Sequence, residues 1–180
     1  MAELVGLPYS DDMKLILKIS YNIGADTSLV LFGLTQGVNN MNAALEAEQH
    51  VLPLIYGIPD DQVRFVDGEG APGTAATSGA VVKMLSELSR HATFSSSFDA
   101  LPILGVDASL AGITDFQSDN TLAGATGQVR AKTGTNIIDG GLWSELKCLL
   151  VTSRQKAEST SYTRSSSTMS RLLRLLLSMM

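Results

Sequence analysis

Residues 128–136 read Gln-Val-Arg-Ala-Lys-Thr-Gly-Thr-Asn. A cation, two hydroxyls and a glycine sit close together in a segment with a period of two. Val129, Ala131 and Thr133 fall on one side and Arg130, Lys132 and Gly134 on the other, a pattern that predicts a β-strand. An ammonium and hydroxyl donors beside a bare backbone step suit an anion held by charge-assisted hydrogen bonds. A phosphate-binding loop is excluded, because that motif needs glycine immediately before the lysine and again further back. Those places hold Ala131 and Thr126. A second polar triplet, Ser20-Tyr21-Asn22, lies far upstream between two helical patterns. Taken alone, it is equally a helix end followed by a helix start, and Lys132 taken alone is equally a solvated strand lysine.

The elements that must position these residues are mostly helical. Ser10 is placed to cap a helix through "DDMKLILKI", with Asp11 and Asp12 favourable at its positive end. "IGADTSLVLFGL" reads as a second helix stopped near Gly37, and "NNMNAALEAEQHVLPLIYG" as a third, with Asn40 or Asn42 as cap and Gly57 at its end. Pro53 is expected to kink or shorten that helix. "QVRFVDGEG" is a short extended run entering a glycine turn, with Asp67 as a turn residue. "TSGAVVKMLSELSRH" places Val81, Met84, Leu85 and Leu88 on one face of a fourth helix, and "FSSSFDALPIL" is a short helix ending around Pro102. His50 and His91 read as surface or helix-end residues without a partner.

The chain has 180 residues, 44% of them hydrophobic and 17% charged, with a net charge of −5. That is enough to build a globular core, and the negative balance argues against nucleic acid or an anionic membrane as the main partner. The lone Cys148 excludes an internal disulfide framework and a cysteine zinc site, and no metal or other cofactor is expected. No basic-then-apolar leader opens the sequence, and no run reaches the ~18 apolar residues that a membrane span needs. Composition changes near residue 140. Residues 1–140 hold 16 acids and 7 bases, whereas residues 141–180 hold 2 acids, 6 bases and 13 Ser/Thr. A domain over 1–140 and an atypical basic Ser/Thr-rich tail over 141–180 are expected. The tail reads either as solvated low complexity or as a frame-shifted translation.

Lys-Thr-Gly and Ser-x-Asn are two of the three elements of penicillin-recognising serine acyl-transferases, the third being Ser-x-x-Lys. Together with "LILKISYNIGADTSLVLFGL", "VRFVDGEG", "FDALPILGVDASLAGITDF" and "TLAGATGQVRAKTGTN", they make the chain resemble the D-alanyl-D-alanine carboxypeptidases/endopeptidases. These are the low-molecular-mass class C penicillin-binding proteins, peptidase family S13. The resemblance covers roughly residues 10–140. Where the family commonly has Asp-Gly-Ser-Gly, this chain has Asp67-Gly68-Glu69-Gly70.

The resemblance implies an α/β fold of the β-lactamase/transpeptidase-like kind, a helical cluster with an antiparallel sheet, incomplete in this chain. It implies a substrate, a peptidoglycan stem peptide ending in D-Ala-D-Ala, with β-lactams as further ligands, and a site outside the cytoplasmic membrane. Lys132, Thr133 and Thr135 would bind the terminal carboxylate, and Gly134 would let the peptide lie along the strand. Ser20 would relay a proton to the leaving amine, Asn22 would hold the substrate amide, and an N–H near Thr135 would help form the oxyanion hole. No Ser-x-x-Lys precedes Ser20. Ser144-Glu145-Leu146-Lys147 and Ser153-Arg154-Gln155-Lys156 match only by chance, after the strand. The chain is therefore expected to be an interior fragment of a serine-type D-Ala-D-Ala carboxypeptidase, of low stability alone. The rival expectations are a non-catalytic or inert fragment and a β-lactamase-like hydrolase.

Overall fold

The structure, a computed structural model, describes residues 5–120, 123–134, 147–148 and 152–153. These are mostly helical, with three short antiparallel strand pairs. The chain divides into two compact units, residues 1–16 with 21–97, and residues 17–20 with 98–180.

Helix α1 (Tyr9–Ile19), of which residues 9–16 belong to the first unit, starts one residue before the expected cap. The Pro8 carbonyl accepts the Asp11 N–H at 2.8 Å, so the first turn closes with Ser10 already inside it. Helix α2 (Asn22–Thr35) and helix α3 (Met41–Tyr56) end in the same way. After α2 the Val38 N–H reaches back to the Gly33 carbonyl and the Gly37 N–H to that of Leu34, with Gly37 at φ +81°. After α3 Ile58 reaches Pro53, Gly57 reaches Leu54, and Gly57 sits at φ +62°. Both are Schellman closures, which need a left-handed residue that glycine supplies without strain. The Asn40 side chain accepts the Ala43 N–H and starts α3. Pro53 neither ends nor shortens α3, as its rigid φ suits a helix and the chain continues three residues beyond it. Its carbonyl becomes part of the closing motif.

Leu29, Gly33 and Ala44 are the buried residues where α2 packs on α3. Small side chains at this crossing let the two backbones approach. A Cβ added at Gly33 would stand 2.5 Å from the Ala44 Cβ. Strands β1 (Val63–Arg64) and β2 (Ala75–Ala76) pair antiparallel. The Gln49 amide of α3 extends this ladder, donating to the Val63 carbonyl and accepting from the Phe65 N–H. Helix α4 (Ser78–Leu88) is capped by the Thr77 hydroxyl, which accepts the Ala80 N–H. Its predicted apolar face is partly buried, and Ala80 joins Ile58 and Val63 in a small core flanked by Tyr56, Phe65 and Met84. Helix α5 (Phe94–Ala100) leads into the second unit.

In that unit Leu104, Leu110, Ala125, Val129 and Ala131 form the core, with Ile113 against it. The predicted alternation holds, with Val129, Ala131 and Thr133 buried and Arg130, Lys132 and Gly134 partly exposed. The segment forms two short strands, β3 (Val129–Arg130) and β4 (Thr133–Gly134). On one side the Val129 carbonyl accepts Leu104 N–H and the Ala131 N–H reaches the Pro102 carbonyl. Further backbone pairs link β4 to β5 (Lys147–Cys148) and β3 to β6 (Thr152–Ser153), both antiparallel. These partner strands lie in the Ser/Thr-rich segment, which shows no strand period. A two-residue strand is held by backbone bonds and is too short to impose one. Among the described residues no helix is long and apolar enough to cross a membrane.

Replacing a helical glycine by alanine ordinarily gains about 1 kcal/mol, but at the α2–α3 crossing overpacking dominates and typically costs about 1–3 kcal/mol. Gly33→Ala is therefore expected to lower the denaturant midpoint. Gly112→Ala, where nothing lies within 4 Å of the added Cβ, should leave it nearly unchanged. A stabilised Gly33→Ala variant would contradict this packing.

Candidate functional site

The site in the second unit starts from Lys132. Its ammonium donates to the Ser20 hydroxyl at 2.7 Å, joining residues 112 positions apart, and also to the Thr133 carbonyl. Among the described residues no carboxylate lies within ion-pair distance of it. Burial holds the Lys132 pKa below the usual lysine value. A half-buried ammonium met only by neutral oxygens retains most of its positive field, which is the condition for gripping an anion.

Ser20 reaches Lys132 from an unusual backbone state. It follows α1 directly and has φ +55°, a left-handed conformation that costs a non-glycine residue about 1–2 kcal/mol. Two residues earlier, the Lys18 ammonium donates to the Leu101 carbonyl at 2.7 Å and to the Asp107 carboxylate. Asp107 also accepts the Ile103 N–H at 2.8 Å. Burial pushes the Asp107 carboxyl up, but the Lys18 hydrogen bond, the Ile103 N–H and the charges of Lys18 and Arg130 outweigh it and hold the group below its usual range. The end of α1 is thus fastened to the 101–107 turn, which itself hydrogen-bonds the strand that carries Lys132.

Thr133 is 5% exposed, and its hydroxyl donates to that of Ser109 at 2.8 Å. Arg130 anchors the start of the strand. Its guanidinium donates to the Phe98 and Asp99 carbonyls, pairs with the Asp99 carboxylate and lies 4.9 Å from the Phe98 ring centroid.

Of the residues singled out from the sequence, Ser20, Lys132, Thr133 and Gly134 share one unit, and Ser20 and Lys132 touch. Asn22 belongs to the first unit, where it opens α2 with an exposed side chain. Thr135, and with it the expected oxyanion N–H, lies outside the described residues. Lys18, Asp107 and Ser109 were not singled out. The only trace they leave in the sequence is proximity, Lys18 two residues before Ser20 and Asp107 two before Ser109 in "GVDAS".

The first unit holds a separate polar turn. The Asp67 carboxylate accepts the N–H groups of Glu69, Gly70 and Ala71. Asp26 accepts that of Gly68, where an added Cβ would be 2.7 Å from the Ala25 carbonyl oxygen. Nearby, one buried oxygen of Glu48 has no hydrogen-bond partner. Burial, and secondarily the Asp67 charge, pushes the Glu48 pKa up from 4.5 to about 7.

The sequence profile of the D-Ala-D-Ala carboxypeptidase 3 (S13) family matches residues 1–137. Among solved structures, penicillin binding protein 4 (dacB) from Haemophilus influenzae, complexed with a novel β-lactam, is similar at 21% identity and a TM-score of 0.60. That match covers 71% of this chain and 29% of the other. A second structure of penicillin binding protein 4 (dacB) from Haemophilus influenzae is 26% identical with a TM-score of 0.54, over 71% and 28% of the two chains. The chain thus spans less than a third of the length of these structures, and the likeness shows a partial α/β transpeptidase-like fold. No curated protein matches.

Glu48 generates a pH prediction. Between pH 4.5 and about 7 the folded chain holds a proton there that the unfolded chain has released. Stability therefore falls as pH rises through that window. Denaturant midpoints measured near pH 5 and near pH 8 should differ less in Glu48→Gln than in the parent. An equal pH slope in both would contradict the assignment.

Proposed function

We propose, since this chain belongs to the D-Ala-D-Ala carboxypeptidase 3 (S13) family, that it carries the carboxylate-recognition part of a serine-type D-Ala-D-Ala carboxypeptidase. The ligand is a peptidoglycan stem peptide with a free D-alanine carboxylate, met outside the cytoplasmic membrane. A β-lactam, which bears a carboxylate in a comparable place, is the competing ligand. The observation that supports this best is the Lys132 ammonium. It is half-buried, has no acidic partner among the described residues, and is aimed at the Ser20 hydroxyl.

In this reading the peptide's terminal carboxylate takes the place of the missing counter-ion. The ammonium attracts it, and Thr133 and Thr135 add hydroxyl donors. Gly134 has no side chain to hold the peptide backbone away from β4. When the D-Ala–D-Ala bond breaks, the departing amine needs a proton. Ser20 relays it, passing its O–H proton to the departing nitrogen as the proton released by the attacking serine reaches Ser20, while the Lys132 ammonium, 2.7 Å away, steadies the hydroxyl and keeps its charge. The electrophilic carbonyl is attacked by a serine nucleophile and becomes an acyl-enzyme before water releases it.

A second reading is that the chain binds such peptides without acylating. Titration of the chain with diacetyl-L-Lys-D-Ala-D-Ala, followed by NMR, tests the shared premise. Saturable binding is expected, weakened about tenfold or more in Lys132→Ala, as the loss of a charge-assisted hydrogen bond costs about 1.5–3 kcal/mol. No binding by the parent chain sinks both readings. Fluorescent penicillin then separates them, since covalent labelling marks an acylating enzyme and binding without labelling a recognition module.

A further inference from the structure

The contact between Ser20 and Lys132 has the parts of a nucleophile and its base. The Ser20 Oγ and Lys132 Nζ atoms lie 2.7 Å apart, the separation at which a base can take a serine's proton. Ser20 is exposed, so an acyl donor can reach its oxygen, and Lys132 is partly buried. As an ammonium, Lys132 only donates, to Ser20 and to the Thr133 carbonyl. After losing one proton it keeps two N–H donors and gains a lone pair. One N–H remains for the Thr133 carbonyl, and the lone pair accepts the Ser20 O–H.

The surroundings favour that loss. Burial holds the Lys132 pKa below the usual lysine value. Among the described residues no carboxylate is within ion-pair distance to retain the charge. The charged groups on neighbouring segments are already matched. Lys18, at the end of α1, is paired with Asp107 of the 101–107 turn, and Arg130, on the same strand, with Asp99. Ser20 itself is held from both sides. Lys18 is bound to the Leu101 carbonyl and to Asp107, and the Tyr21 N–H reaches the Ile16 carbonyl at 3.0 Å. Between them Ser20 keeps φ +55°, and left-handed residues maintained by their neighbours cluster at functional sites.

The geometry points to Ser20 and Lys132 as a serine–lysine dyad in the free chain, which takes an uncharged acyl group from an activated ester onto the Ser20 oxygen. Serine–lysine pairs are a known variant of nucleophilic acyl transfer. The dyad does not depend on the recognition reading, in which a bound carboxylate keeps Lys132 charged. In the step, Ser20 Oγ bonds to the ester carbonyl carbon while its proton passes to the Lys132 amine, which becomes an ammonium. The bond from that carbon to the leaving oxygen breaks, and the leaving group departs with the electron pair. An aryl oxide such as 4-nitrophenolate leaves without needing a proton. The products are an ester on Ser20, 4-nitrophenolate and protonated Lys132. An acyl group that carries a carboxylate is disfavoured, because its charge would hold Lys132 as the ammonium.

The test is reaction of the full chain with 4-nitrophenyl acetate from about pH 6 to about pH 10, the range that spans a lowered lysine midpoint. The parent, Ser20→Ala and Lys132→Arg are compared, each with a thermal melt, and the acetylated residue is located by peptide mass spectrometry. The parent should release a burst of about one 4-nitrophenolate per chain. Its acetyl group should sit on Ser20 and come off with hydroxylamine, as an ester does and a lysine amide does not. The rate should rise with pH and level off below the ordinary lysine range, as the amine form fills. Ser20→Ala should lose the burst. Lys132→Arg stays charged and should react about 100-fold more slowly. Acetyl found only on Lys132 or elsewhere, or no label at all, overturns the proposal. So does a parent rate that climbs without levelling, a result that needs no variant to fold. Parent-like labelling by a Lys132→Arg chain that melts like the parent overturns it as well. Failure of the chain to bind diacetyl-L-Lys-D-Ala-D-Ala removes the recognition reading and leaves Ser20 labelling as predicted, so the two fail separately.

Discussion

An ammonium group drawn partly out of water, with no acid beside it among the described residues, is the constraint on which the second unit depends. Water would solvate Lys132 better than two neutral oxygens do, so the surrounding contacts must hold it in place. They come from sequence-distant segments. Ser20 arrives at the end of α1, the Thr133 carbonyl belongs to the same strand, and Thr133 itself is tied to Ser109. The Lys18–Asp107 pair fastens the α1 end to the turn that hydrogen-bonds the strand. Lys18 and Asp107 neutralise each other, and in doing so they leave Lys132 as the group with field to spare.

Among the described residues two with a Cβ adopt left-handed backbone angles, and both stand next to this arrangement. Ser20 carries the hydroxyl that meets Lys132, and Ala108 precedes the one that meets Thr133. At about 1–2 kcal/mol each, such conformations persist only where neighbours over-determine them. The two helix ends of the first unit behave differently. There glycine occupies the left-handed positions after α2 and α3, and the closures are unstrained. Among the described residues backbone strain of this kind falls beside hydroxyls, at Ser20 and before Ser109, and the ends of α2 and α3 are free of it.

Most of the helical body was legible in the sequence. Asn40, Gly37 and Gly57 mark boundaries through backbone chemistry that depends only on local residues, and α2 ends and α3 begins and ends where those residues indicate. The alternation through 129–134 also reads directly, because burial on one face imposes a period of two. The cap expected at Ser10 was misplaced by two residues because a carbonyl, that of Pro8, closed the turn first. Pro53 did not shorten α3, because proline is judged on the bond it removes, while the closing bonds after it are invisible in sequence. The contact between Ser20 and Lys132 was reachable only through motif order. The supporting set was not reachable. Lys18, Asp107 and Ser109 are ordinary residues, and their importance comes from hydrogen bonds across 83, 89 and 24 positions. Strands β5 and β6 were hidden for a related reason, since their pairing uses backbone groups that every residue has.

The central claim is that the Lys132 ammonium is kept without a counter-ion so that a ligand carboxylate can supply it. Its own titration tests this most directly. With the lysine side chains isotopically labelled and Lys132 assigned by its loss in Lys132→Arg, the resonance is followed against pH with and without saturating diacetyl-L-Lys-D-Ala-D-Ala. The account predicts a midpoint below the ordinary lysine range in the free chain, moving upward when the carboxylate binds. A midpoint at the ordinary lysine value that does not respond to the peptide would contradict it.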